Sequence, residues 1–178
     1  MNVLDTLANR IAISIKKANP EQTHSVEVLT FALILLINGL TSFAIALFVG
    51  ALAGKLLLTA LGIMGFVLLR FCSGGFHFQS SITCTIVSSA IFIVIPHIPL
   101  NDTWGLVITI LSLILILIYA PARIEQHSNI PKKYYPLLKS IAFVLVSMNF
   151  VIQLPVLTIA FFGQAVLLIH LKGEEEIA

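Results

Sequence analysis

The chain has 178 residues, of which 58% are hydrophobic and 10% charged, with a formal net charge of +2. Soluble domains carry about 25% charged residues, so a water-soluble fold of this size is excluded and lipid must solvate much of the surface. The length fits one membrane domain, residues 1–178, and the two cysteines, Cys72 and Cys84, give neither a disulfide framework nor the CxxC zinc spacing.

Residues 2–17 set Val3, Leu4, Leu7, Ala8, Ile11 and Ile15 at helical spacing, with Asp5, Asn9, Arg10 and Lys16 mostly elsewhere. This pattern predicts an amphipathic helix lying in the membrane surface; the competing reading packs it on the protein's own loops. The same stretch lacks an unbroken apolar core, so no cleaved signal peptide is expected.

Apolar spans are predicted over 28–49, 56–69, 82–95 and 104–120. Gly50–Gly54 reads as a turn, Arg70–Ser81 as a polar break, and Pro96 and Pro99 close the third span. Trp104 and Tyr119 stand where interface anchors belong. Pro121–Pro136 reads as a basic, proline-punctuated loop. The last apolar stretch, Ile141–Ile169, is about 43 Å long as a single helix. That is too long for one perpendicular crossing and short for two. Gln153 and Pro155 near its middle favour two helices, 141–154 and 156–170, over one kinked helix. The expected fold is an all-α integral membrane protein: about six hydrophobic helical segments plus an N-terminal amphipathic interfacial helix.

With the N-terminus inside and six crossings, every Lys and Arg except Lys55 faces the cytoplasm, which is the favoured orientation. The Arg70–Cys84 segment then meets a compartment that keeps thiols reduced.

That segment holds the one convincing chemical site. Gly74 and Gly75 can adopt backbone angles closed to other residues and mark a turn. Ser80 or Ser81 is a good N-cap, which places Cys84 in the first turn of the next helix, near N3 or N4. A thiolate there would be favoured by the positive end of the helix dipole. His77 precedes the cap. In a continuous helix its Cα would lie about 10.5 Å along the axis from that of Cys84. Chemistry between them therefore needs a bend between Phe78 and Ser81. With that bend, His77 can take the thiol proton and return it to a leaving group.

Bland readings compete at each position. A lone membrane cysteine is usually an apolar filler, and a lone surface histidine is often just solvated. Cys72 falls at the end of the second span, where a helix C-terminus disfavours a thiolate. Arg70 is either a substrate or oxyanion partner or simply a positive-inside anchor. Gln79 and Ser80 are optional oxyanion donors. His24, His97, His127 and His170 show no metal-ligand spacing, so no metal, cofactor or nucleic-acid partner is expected. A transporter lined by Asn38 and Gln153, and a scaffold with incidental thiols, are the alternative functions.

The pattern Arg70, Gly74-Gly75, His77 and Cys84 resembles the accessory gene regulator B family, membrane peptidases of Gram-positive quorum sensing. The amphipathic start, the order of spans and the basic loop opening Ala120-Pro121-Ala122 extend the likeness over most of the chain. The resemblance implies a cysteine endopeptidase of the cell membrane that cuts a pro-signal peptide on its C-terminal side and promotes thiolactone or lactone closure. By the same likeness Cys84 is the nucleophile and His77 the general base and acid. Arg70, Gly74 and Gly75 support the site, and a homodimer is implied.

Overall fold

A computed structural model describes residues 3–75, 80–122 and 130–169 of the chain. Among these residues the regular elements are eight α-helices and two single 3-10 turns, with no strand. In chain order they are α1 Val3–Ala18, α2 Val26–Leu52, α3 Leu56–Ser73, α4 Ser81–Val94, α5 Asp102–Tyr119, α6 Tyr135–Ser147, α7 Asn149–Ile152 and α8 Pro155–Val166. The all-α membrane architecture expected from hydropathy is therefore present. Four stretches, α2, α3, α5 and Lys132–Ile152, are long and apolar enough to cross a membrane, while α4 with its 3-10 turn and α8 are shorter.

The helices start where their caps say. Ser25 accepts from the Val28 amide at the start of α2, and Asn101 accepts from Trp104 at 2.9 Å at the start of α5. Proline closes or opens others: Pro96 sits in the 3-10 turn after α4, and Pro155 opens α8, where its missing N–H costs nothing.

Two helix ends differ from the sequence reading. Gly50 to Leu52 continue α2, so the first turn narrows to Ala53–Gly54. Gly50 is there for close approach: a Cβ would run into the Thr59 hydroxyl oxygen of α3. Arg70 to Ser73 are likewise helical and not part of the polar break. Ser73 Oγ donates to the Leu69 carbonyl at 2.8 Å, so its hydroxyl is satisfied within the helix.

Lys55 Nζ donates to the Pro96 carbonyl at 3.0 Å, which puts the α2–α3 turn and the end of α4 at one end of the bundle. At the other end, Ala122 after α5 bridges to Gly74 after α3. The last apolar stretch breaks at Gln153, whose φ of 51° is left-handed. The chain then reverses. Asn149 before the break donates to Thr158 Oγ1 at 2.8 Å, and α8 descends along α3 until Gln164 stands beside Ser73. Of the two readings of this stretch, the paired helices are the ones observed.

One core cluster joins α3, α5, α6 and α8 through Leu69, Ile116, Val146, Phe161 and Leu168. A second centres on Phe66, Phe92, Ile95 and Val156, with the Phe66 and Phe92 rings edge to face at 5.2 Å. Large apolar side chains such as Phe48, Leu52, Leu57 and Ile118 cover the outside, as lipid contact requires. Helix α1 packs on α2 and α4 through the fully buried Ala8 and Ala12 and leaves Leu7, Ile11 and Ile15 exposed. It rests on the bundle itself and not on loops, with an apolar face left for the interface.

Candidate functional site

The site is built where α3 stops. Gly74 caps the helix with φ 70° and ψ −145°, and Gly75 follows with φ 130°. Two successive positive-φ residues make an elbow that side-chain-bearing residues adopt only under strain. The elbow is pinned on both sides. The Gly75 amide donates to the Ala122 carbonyl at 3.0 Å, and the Ala122 amide donates to the Ser73 carbonyl at 2.9 Å. The Ala120–Pro121 peptide beside this bridge is cis. The bridge brings the start of the basic loop against the elbow.

Across the break, Ser80 is extended, with φ −86° and ψ 120°, and its side chain accepts from the Thr83 amide. Ser80 is therefore the N-cap and Ser81 the first helical residue. Cys84 falls at N4, its amide donating to the Ser80 carbonyl at 2.9 Å. No uninterrupted helix links Gly75 to Cys84, since Gly74, Gly75 and Ser80 are all non-helical. His77, with Phe76, Phe78 and Gln79, lies outside the described residues.

Arg70 sits in the last turn of α3. Its Nη1 donates to Gln164 Oε1 at 3.0 Å, and its guanidinium lies 5.9 Å from the Phe66 ring centroid. The structure thus brings Arg70, Gly74 and Gly75 around one knot through Gln164, and Cys84 stands in the first turn of α4.

The two free thiols differ in surroundings. Cys72 packs against the cluster containing Leu69 and Ile116, as an apolar filler would. Cys84 belongs to neither core cluster and stands in the first turn of a capped helix. His24 is exposed between α1 and α2. His97 spends Nδ1 on the Ile93 carbonyl at 2.9 Å, at the far end of the bundle. His127 and His170 lie outside the described residues.

Gln164 and Asp5 are the residues that sequence reasoning missed. Gln164 is fully buried. Its Nε2 donates to Ser73 Oγ at 3.0 Å and to the Gly74 carbonyl at 2.6 Å, while its Oε1 accepts from Arg70. A glutamine in an apolar helix was the only available signal. Asp5 of α1 accepts from the Ser81 hydroxyl at 2.5 Å, one turn before Cys84.

The polar residues considered for a transport path do not share one. Asn38 is buried in the α2–α4 joint, accepting from Thr85, and Gln153 is exposed at the turn between α7 and α8.

Residues 8–172 match the family model described as Accessory gene regulator B. The chain is similar to an AgrB-like protein of Halalkalibacterium halodurans, 32% identical over 146 residues, covering 81% of this chain and 74% of the relative. It is also similar to the accessory gene regulator protein B of Staphylococcus aureus strain RF122, 27% identical over 158 residues, 86% of this chain and 84% of the relative. No solved structure matches it significantly.

Proposed function

The chain belongs to the accessory gene regulator B family, and from that premise we propose that it is a membrane cysteine endopeptidase acting on a pro-signal peptide. The observation that carries this reading is the placement of Cys84 at N4 of a capped helix, across the break from a Gly-Gly elbow beside which Gln164 holds a cation, Arg70. In the proposed reaction, the Cys84 sulfur attacks the scissile carbonyl carbon while His77 takes the thiol proton. The C–N bond then breaks, and His77 returns that proton to the departing amine, which leaves with the C-terminal fragment. The N-terminal part stays on Cys84 as a thioester. A thiol or hydroxyl within the peptide attacks the thioester carbonyl, loses its proton to His77, and expels the Cys84 thiolate, closing a thiolactone or lactone.

Arg70 suits the oxyanion stage of both steps, being a fixed cation that needs no rearrangement when negative charge develops. Lys132 and Lys133, in the single turn before α6, suit an acidic peptide tail. The positive-charge bias supports a cytoplasmic location for this end of the bundle, at the cell membrane of a Gram-positive bacterium, and the family likeness implies a homodimer. The whole chain, 1–178, acts as one membrane domain. Co-expression with a precursor tests the reading: Cys84→Ala abolishes cleavage and Cys72→Ala does not. Cleavage that survives Cys84→Ala removes it.

A further inference from the structure

The amide of Gln164 makes three hydrogen bonds to the end of α3, two with side chains and one with a backbone carbonyl. Its two N–H groups go to Ser73 Oγ and the Gly74 carbonyl, and its oxygen receives Arg70 Nη1. The orientation of the amide follows from its partners. A carbonyl only accepts and a guanidinium only donates, so Nε2 must face Gly74 and Oε1 must face Arg70. Glutamate would lack the donors for Ser73 and Gly74, and lysine would lack the acceptor for Arg70. Gly75 lies against the same group: a Cβ there would sit 3.3 Å from Gln164 Nε2, 3.3 Å from the Leu167 carbonyl and 3.4 Å from Arg70 Nη1. The absence of a side chain at position 75 and the presence of an amide at position 164 are two parts of one fit.

We propose that Gln164 is a positioning residue for the reaction at Cys84: from the last helix it aims the Arg70 guanidinium and fixes the Gly74–Gly75 elbow that leads into the Cys84 helix. The proposal rests on the peptidase reading for what Arg70 and Cys84 do, while the hydrogen bonds that clamp Arg70, Ser73 and Gly74 to Gln164 stand without it. Gln164 touches no reacting atom. It acts by denying Arg70 the freedom to swing away toward solvent or lipid, a freedom that costs a long side chain much of its electrostatic effect.

A double-mutant cycle in the full-length protein tests this, read by cleavage of a co-expressed precursor and by hydrogen exchange at the Gly75 amide, with thermal melts for each variant. Gln164→Met, similar in volume but without the amide, and Arg70→Gln are each expected to slow cleavage about tenfold. The double variant is expected to cleave no more slowly than the slower single, because both changes remove the same aimed cation. Gln164→Met is also expected to speed exchange at Gly75, because the elbow loses its amide donors. Rates that multiply in the double, or wild-type cleavage or exchange in folded Gln164→Met, overturn the proposal. Should Gln164→Met fail to fold, Gln164→Asn, which holds the amide one methylene short of its partners, decides by the same two readouts. Exchange needs no peptide, so a wild-type protein that cleaves nothing sinks the peptidase reading and leaves the exchange test of the clamp intact.

Discussion

The carboxylate of Asp5 accepts a hydrogen bond from the hydroxyl of Ser81, the first residue of the helix that carries Cys84. Helix α1 is thereby tied directly to the start of α4, and Asn9 ties it to α2 by accepting from Thr30 at 3.3 Å. Negative charge at a helix N-terminus is itself favourable. Replacing Asp5 with Ala is expected to cost about 1–2 kcal/mol of local stability. Hydrogen exchange over α1 and the first turn of α4 should accelerate together. Faster exchange confined to α1 would show that the tie does not matter to α4.

Gly75→Ala places a side chain at φ 130° and into contact with Gln164 and the Leu167 carbonyl. The backbone strain alone is on the order of 1–3 kcal/mol, and relief requires the elbow to move. Precursor cleavage is expected to fall by more than tenfold on the strength of that displacement. A folded Gly75→Ala protein that cleaves at the wild-type rate would show that the elbow geometry is not used.

Far from this end, Asn149 is buried and donates to Thr158 at 2.8 Å and to Thr109 at 3.4 Å, linking α7, α8 and α5. Such bonds inside membrane bundles contribute about 0.6 kcal/mol on average and up to about 1.7. Asn149→Leu should lower thermal stability by an amount in that range or leave it nearly unchanged if the apolar side chain packs well. In either case alkylation of Cys84 should keep its wild-type rate. A changed rate would mean that the two ends of the bundle are coupled.

Charge reversal at Lys132 and Lys133 tests how the peptide tail is held. Both lie in the turn preceding α6, and the Lys133 ammonium stands 5.0 Å from the Tyr134 ring centroid. Converting both to Glu is expected to raise KM for an acid-tailed precursor several-fold with little change in kcat, an effect that shrinks as salt is added. An unchanged KM at low salt would place the tail elsewhere.

Much of the fold was legible because hydropathy is a long-range average. Apolar helices occupy the apolar stretches, four of them long and apolar enough to cross a membrane, and the chain breaks at Gln153. The helix ends were less legible because polar residues were read as loop. Arg70 and Ser73 remain helical since Gln164 and the Leu69 carbonyl satisfy them inside the bundle. Gly50 looked like a turn but serves the close contact with Thr59. At the site, local signals worked for local geometry: the glycine elbow, the Ser80 cap and the N4 position of Cys84 follow from neighbours in sequence. Gln164 was illegible because its partners lie 90 to 94 positions away. The Asp5–Ser81 tie spans 76 positions, and no periodicity encodes either contact.

The central claim is that Cys84 becomes acylated. Purified protein mixed with a precursor peptide, quenched in acid and digested, reports this by mass spectrometry. The expected result is an adduct on the Cys84 peptide equal to the N-terminal part of the precursor, labile to hydroxylamine and absent from Cys84→Ala. Turnover with the adduct on Cys72, or turnover by Cys84→Ala, would contradict it.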